Sequence, residues 1–267
     1  MTTAATALVC LLGDPVAHSR SPQLHTAAFA ARGIDAVYVA CRVTDVPAAV
    51  DGLHALGALG ANVTVPHKRA VWEHVAHRTP EAELIGAANT LYRADDGGWI
   101  ADNTDSAGLL RVLRDDLALA PGDGAVVFGA GGAARAAAVA LGRAGAHLRV
   151  EARRPDRAAD VQRLGLAAGA KGLAPDVRPR LVINATPLGL HGERLPARFH
   201  DLREGQVALD LTYGATPSPF VADARARGLD AQDGLGMLVG QAAAAFERWT
   251  GQAAPVEAMH AAAALAT

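Results

Sequence analysis

The chain has 267 residues, 51% apolar and 19% charged, with a formal net charge of −2. That supplies one large domain or two moderate ones and is unlike a disordered chain, while the near-neutral balance excludes a global basic field for nucleic acid or an acidic membrane surface. Two cysteines, Cys10 and Cys41, ten histidines without metal-ligand spacing, no apolar run of membrane-spanning length and no charged signal-peptide start leave a soluble cytoplasmic protein as the default expectation.

In chain order, Ala7 to Leu12 reads as a buried strand ended by Gly13-Asp14-Pro15. Ser21-Pro22 reads as an N-cap followed by proline at the first helical position, opening a helix that ends near Gly33. Ala36 to Arg42 is the next strand, Asp45 to Leu56 has helical periodicity, and Ala61 to Val65 is a third strand leading to Lys68. A helix with Trp72 and Val75 on one face follows, then a shorter one from Pro80 to Ile85. Thr90 to Tyr92 and Trp99 to Ala101 flank Asp95-Asp96-Gly97-Gly98, a hairpin signal. Ser106 to Leu119 is helical in pattern, and the first domain boundary is expected in or around it. The second half alternates more regularly: strands at Ala125 to Phe128, His147 to Glu151, Leu181 to Asn184 and Val207 to Leu211, with helices at Gly131 to Ala144, Pro155 to Leu166 and Thr216 to Arg227. Such alternation implies a parallel sheet covered by helices on both faces. Helices from Met237 to Trp249 and from Val256 to Leu265 close the chain.

Two segments carry the chemistry. Asn62-Val63-Thr64-Val65-Pro66-His67-Lys68 and Asn103-Thr104-Asp105 each deliver one ionisable side chain after a strand-like run. A lysine and an aspartate at one rim of a sheet can hold a substrate hydroxyl between them and move its proton; the plain alternative is two surface charges at loop ends. Gly129-Ala130-Gly131-Gly132-Ala133-Ala134 lies between a strand and a helix, the setting of a dinucleotide fingerprint, with Ala134 in place of the usual third glycine. A merely tight strand-to-helix turn is the alternative. After the next strand comes Glu151-Ala152-Arg153-Arg154-Pro155-Asp156-Arg157. Its three arginines suit a 2′-phosphate, while Glu151 suits a free ribose unless strand alternation turns it away. Ser19 and Ser21, ahead of a helix, could bind a small carboxylate or simply cap that helix. No role is assigned to His18, His25 or His67.

Gly13 to Pro22, the Lys68 and Asp105 segments, Gly86-Ala87-Ala88-Asn89-Thr90, the Gly129 turn, Asn184-Ala185-Thr186 and Gly234-Leu235-Gly236-Met237-Leu238-Val239-Gly240-Gln241 together resemble the shikimate dehydrogenase family, in its order and over nearly the whole chain. The resemblance implies an α/β protein of two domains. Residues 1–105, completed by C-terminal helices in 237–267, would form the substrate domain, and residues 106–236 a Rossmann-like parallel-sheet domain for NADP. It implies reversible NADPH-dependent reduction of 3-dehydroshikimate to shikimate in aromatic amino-acid biosynthesis, by a cytoplasmic monomer or homodimer with neither nucleic acid nor membrane as partner. Position by position, it implies Lys68 and Asp105 as the catalytic pair, and Ser19 and Ser21 on the substrate carboxylate. Thr64, Asn89, Tyr213 and Gln241 would hold the ring hydroxyls. Arg153 and Arg157, with Arg154 beside them, would form the adenosine-phosphate clamp, and Thr186, Leu211 and Gly234 would lie near ribose and nicotinamide. The family's clamp usually reads Asn-Arg-Thr where this chain has Ala152-Arg153-Arg154, and Ser21 in place of a threonine resembles the shikimate-specific branch. The alternatives are a quinate or quinate/shikimate dehydrogenase using NAD, a non-catalytic nucleotide-binding regulator on the same scaffold, and, more remotely, an amino- or hydroxy-acid dehydrogenase.

Overall fold

A computed structural model describes residues 2–17 and 19–265, so His18 lies outside the described residues. The chain divides into two compact units, Met1–Thr104 with Val239–Thr267, and Asp105–Leu238.

In the first unit the apolar run β1 (Ala7–Gly13) is flanked by parallel partners β2 (Ala36–Arg42) and β3 (Gly60–Val63). Helix α1 (Ser21–Ala31) connects β1 to β2, and α2 (Val46–Ala55) connects β2 to β3. Asp45 caps α2 by accepting the Ala48 N–H at 3.1 Å, a cap worth about 1 kcal/mol. After α3 (Lys68–His74), the two-residue β4 (His77–Arg78) and α4 (Pro80–Ile85), the hairpin β5 (Thr90–Arg93) and β6 (Trp99–Asp102) completes the sheet. Its order is β2-β1-β3-β5-β6-β4, with β5 antiparallel to both neighbours. Cys10, Leu12, Val50, Leu53, Val63, Val71, Leu91 and Trp99 share one core.

The second unit begins with α5 (Asp105–Arg111), which runs on into a π-helical turn, Val112–Asp116. Then come β7 (Gly124–Phe128), α6 (Gly132–Arg143), β8 (His147–Glu151), α7 (Pro155–Ala167), β9 (Lys171–Gly172) and β10 (Leu181–Asn184). A short α8 (Ala197–His200), β11 (Val207–Asp210), α9 (Pro219–Ala226) and β12 (Ala231–Gln232) follow. The unit boundary falls inside α10 (Leu235–Thr250), and α11 (Val256–Leu265) ends the described chain. The sheet is parallel throughout, in the order β12-β11-β10-β7-β8-β9. Strand alternation sorts its side chains: Ala125, Val127, Ile183 and Leu209 pack with α5, α6 and α7, while Val126, Phe128, Val182 and Ala208 pack with Phe199 and Phe220 of α8 and α9. The expected α/β class and helix-covered parallel sheet are therefore present. The strand order reverses between β7 and β10, and ligands of doubly wound sheets bind in the crevice at such a switch point.

Several boundaries differ from the sequence pattern. Ser21 is the first helical residue of α1, not its cap; Arg20 occupies the cap position, and its side chain makes no capping bond to the helix. The third strand stops at Val63, because the Thr64 carbonyl is drawn into a turn by the His67 N–H at 2.9 Å and Pro66 has no N–H to offer a ladder. Lys68 consequently opens a helix rather than ending a strand, and Val75 lies past the end of that helix in extended conformation. Likewise β6 ends at Asp102, so Asp105 opens α5. The helix expected to reach Leu119 widens at Val112, with Leu117 N–H bonded five residues back to Val112 O, and ends before Ala118 at φ 45°. The short β4, β9, β12 and α8 have no signal in the sequence pattern.

Candidate active site

In the first unit the polar groups collect beyond the ends of β1 and β3 and around β5. Ser19 Oγ accepts the Ser21 N–H at 3.2 Å and donates to Ser21 Oγ at 3.2 Å, so the two hydroxyls lie side by side at the start of α1. Arg20 between them reaches the Ala263 carbonyl at 3.1 Å. Thr64 continues the β3 ladder through its N–H to Leu12 O at 2.8 Å. The next turn is anchored by His67, whose Nε2 is 2.7 Å from Val43 O; a carbonyl only accepts, so Nε2 carries the hydrogen. That anchor sets the start of α3, where the Lys68 carbonyl accepts the Ala88 N–H at 2.9 Å. One residue on, buried Asn89 is oriented from both ends. Its Oδ1 accepts from the Thr104 N–H at 2.8 Å and the Thr90 hydroxyl at 2.9 Å, and its Nδ2 donates to Gln241 Oε1 at 3.5 Å. Buried Asp102 accepts from Thr79 Oγ1, the Asn103 N–H and Arg248 Nε at 2.5, 2.8 and 2.9 Å. These bonds fix Asn103 and Thr104 immediately before Asp105, itself buried at the first turn of α5, where the helix dipole favours a carboxylate.

In the second unit a cavity of about 870 Å³ opens at the switch point, lined by the Gly129–Gly131 turn, Arg153, Arg154 and Arg157, and the Ala185–Leu188 loop. Gly129 has φ 136°, and a Cβ there would lie 2.5 Å from Ala185 O. Only glycine lets the β7 turn pass the β10 loop this closely. Gly131 caps α6 and Gly132 begins it; a Cβ on either meets nothing within 4 Å, so the backbone of this turn is open to a ligand. Ala133 packs at the edge of the core, and Ala134, in the third-glycine position, is fully buried in it. These residues fit a dinucleotide: bare N–H groups at the start of a twelve-residue helix for the pyrophosphate and three guanidiniums for a further phosphate. Arg154 and Arg157 lie 3.7 and 4.0 Å from the exposed carboxylate of Asp156, loose pairs that leave them able to turn to a phosphate. Glu151 does not line this cavity; it bonds Arg149 and Arg198 on the opposite face.

A model of the shikimate dehydrogenase substrate binding domain matches residues 11–91, and one of the shikimate 5′-dehydrogenase C-terminal domain matches residues 234–264. A protein named shikimate dehydrogenase (NADP(+)) from Anaeromyxobacter sp. (strain Fw109-5) is 48% identical, over 98% of this chain and 97% of its own length. The chain belongs to the shikimate dehydrogenase family. Among solved structures, the shikimate 5-dehydrogenase of Thermus thermophilus, in complex with NADP(H) and shikimate, is similar at 35% identity and a TM-score of 0.87, covering 98% of this chain and all of that one. The Listeria monocytogenes enzyme, in complex with shikimate and NAD, is similar at 30% identity and a TM-score of 0.87, covering 97% and 96%.

Within this family member the two units hold different parts of the expected set. Ser19 with Ser21, and Asn89 with Gln241, are brought together in the first unit, which also holds Thr64 and Lys68. Asp105, Tyr213 and the whole dinucleotide set belong to the second. There, Leu211 and Gly234 meet back to back: Gly234 N–H bonds Thr212 O at 2.9 Å, and a Cβ on it would lie 2.4 Å from Leu211 O. Thr186 is held through its N–H and hydroxyl on Asn184 Oδ1, at 3.0 and 2.7 Å. Asn184 in turn donates to Asp210 Oδ1 at 2.9 Å, and Asp210 accepts from the Thr212 N–H and the Ser218 hydroxyl at 2.9 and 2.6 Å. This fully buried pair orders the loops after β10 and β11; from sequence Asn184 enters only as part of the Asn184-Ala185-Thr186 motif, and Asp210 has no assigned role. The available signal was a polar residue closing an apolar strand, as in Leu181-Val182-Ile183-Asn184 and Val207-Ala208-Leu209-Asp210, where a parallel sheet opens to its ligand crevice.

Proposed function

We propose that this protein is an NADP-dependent shikimate dehydrogenase that reversibly reduces 3-dehydroshikimate to shikimate in aromatic amino-acid biosynthesis. The observation that carries the reading is the cavity at the strand-order switch point, which combines an open glycine turn at a helix N-terminus with three arginines. When bound, the dinucleotide supplies or takes up the hydride. In this reading Lys68 neutralises the developing alkoxide and donates its proton, and Asp105 orients the lysine and accepts from the same hydroxyl. Ser19 and Ser21 take the substrate carboxylate, and Thr64, Asn89, Tyr213 and Gln241 the ring hydroxyls. The ordered side chains of Asn89 and the Ser19–Ser21 pair support this, since preset donors lose little entropy on binding. Arg153, Arg154 and Arg157 bind the 2′-phosphate, the Gly129–Ala133 turn the pyrophosphate, and Thr186, Leu211 and Gly234 the nicotinamide half. The reading places a monomer or homodimer in the cytoplasm, with no nucleic-acid partner; among the described residues no helix is long and apolar enough to cross a membrane. Steady-state assays of shikimate and quinate, each with NADP and NAD, test it. The highest kcat/KM should belong to shikimate with NADP, and a higher value for quinate or for NAD refutes it.

A further inference from the structure

An acidic residue at the end of the second Rossmann strand ordinarily accepts a hydrogen bond from a free ribose 2′-hydroxyl, and there it would repel a 2′-phosphate. Glu151 stands at that strand end. Strand alternation puts Arg149 and Glu151 on one face and turns Ala152 to the other; the strand ends at Glu151, and the arginine-lined cavity takes Ala152 and Arg153 into its lining but neither Arg149 nor Glu151. The carboxylate is held there on both oxygens. Arg149 Nε donates to Oε1 at 3.3 Å, and Arg198 Nε on α8 donates to Oε2 at 3.0 Å. Arg149 is itself pinned by the Ala174 carbonyl at 2.8 Å, and the Arg198 guanidinium lies over the Phe199 ring, 4.7 Å from its centre. All three charged groups line a separate cavity of about 290 Å³. The same cavity is also lined by Asp176, Arg178 and Asp201, so its charges balance, while the Glu151 carboxylate itself is paired with two cations.

We propose that Arg198, together with Arg149, is a cofactor-specificity residue that never touches the cofactor: it holds and neutralises Glu151 on the far face of the sheet. A 2′-phosphate then meets arginines unopposed, and an unphosphorylated ribose finds no carboxylate acceptor. This rests on the NADP reading above. Arg198 is exposed, and exposed pairs contribute little to stability, so the effect falls on selectivity and not on melting.

The test is calorimetric binding of adenosine 2′,5′-bisphosphate and adenosine 5′-monophosphate, which differ only by the 2′-phosphate. Wild type should prefer the bisphosphate; equal affinities would overturn the NADP reading itself, and this inference with it. In Arg198→Ala the preference should fall about 1.5- to 5-fold, the range expected for one partly screened charge pair, with an unchanged melting temperature. Glu151→Gln alone should keep the preference, and Glu151→Gln in the Arg198→Ala background should restore it. A preference unmoved by Arg198→Ala overturns the inference. So does a loss that persists in the double variant, because Arg198 would then be attracting the phosphate directly.

Discussion

Burying a histidine away from both water and hydrogen-bond partners should make this protein's stability fall steeply with acid. His25 is fully buried in α1, stacked on Tyr38 with ring centres 4.5 Å apart and flanked by Trp249 at 5.0 Å. Among the described residues neither ring nitrogen has a partner at hydrogen-bond geometry. Burial pushes its pKa down from 6.5 to about 3, against a weaker upward pull from Asn62. The unfolded chain binds this proton below pH 6.5 and the folded one does not until near pH 3. The stability is thus fully present above pH 6.5 and is lost as pH falls through that window. The whole drop corresponds to about 4–5 kcal/mol, of which about 2 kcal/mol is gone at pH 5. Asp35, Glu193 and Asp223 have pKa values lowered from 3.8, 4.5 and 3.8, held down by Thr6, backbone N–H groups and Arg194 respectively, so most of their contribution survives at pH 5. Urea unfolding followed by tryptophan fluorescence is the assay, since Trp72, Trp99 and Trp249 all lie in the unit that contains His25. Wild type should lose about 2 kcal/mol more than His25→Phe between pH 7 and pH 5. Parallel pH profiles for the two proteins would refute the reasoning.

Lys68→Ala should lower kcat by about 10²- to 10⁴-fold with a far smaller change in KM, as for a positioned proton-transfer group; a rise in KM alone would make the lysine a binding contact. The Ser19→Ala/Ser21→Ala variant should raise the KM for shikimate by about a hundredfold or more and leave the cofactor KM in place, each of the two bonds to a carboxylate being worth about 1.5–3 kcal/mol. An unchanged shikimate KM would reduce this pair to the start of a helix. Gly129→Ala must accept φ 136° and a Cβ 2.5 Å from Ala185 O, so it should cost about 1–3 kcal/mol in thermal unfolding and weaken NADP binding. Wild-type melting and affinity would show that the turn relaxes freely.

Local pattern alone was enough for much of the secondary structure. Ala36–Arg42, His147–Glu151, Leu181–Asn184, Pro80–Ile85 and Val256–Leu265 have the bounds their apolar runs and breakers suggest, because burial period, proline and glycine act within a few residues. The glycine turn between β7 and α6 and the arginines after β8 were legible for the same reason. Tertiary structure decided the rest. The two-residue strands β4, β9 and β12 are strands only because a neighbour pairs with them, and the π-helical turn after α5 has no marker in its composition. The Asn184–Asp210 hydrogen bond joins the ends of adjacent strands 26 residues apart. Glu151 shows the division most sharply. Alternation along β8 sets which face it takes, but the arginine that holds it there comes from α8, 47 residues away. A charge-assisted hydrogen bond depends on distance in space, and only the fold of the whole second unit brings those two side chains to 3.0 Å.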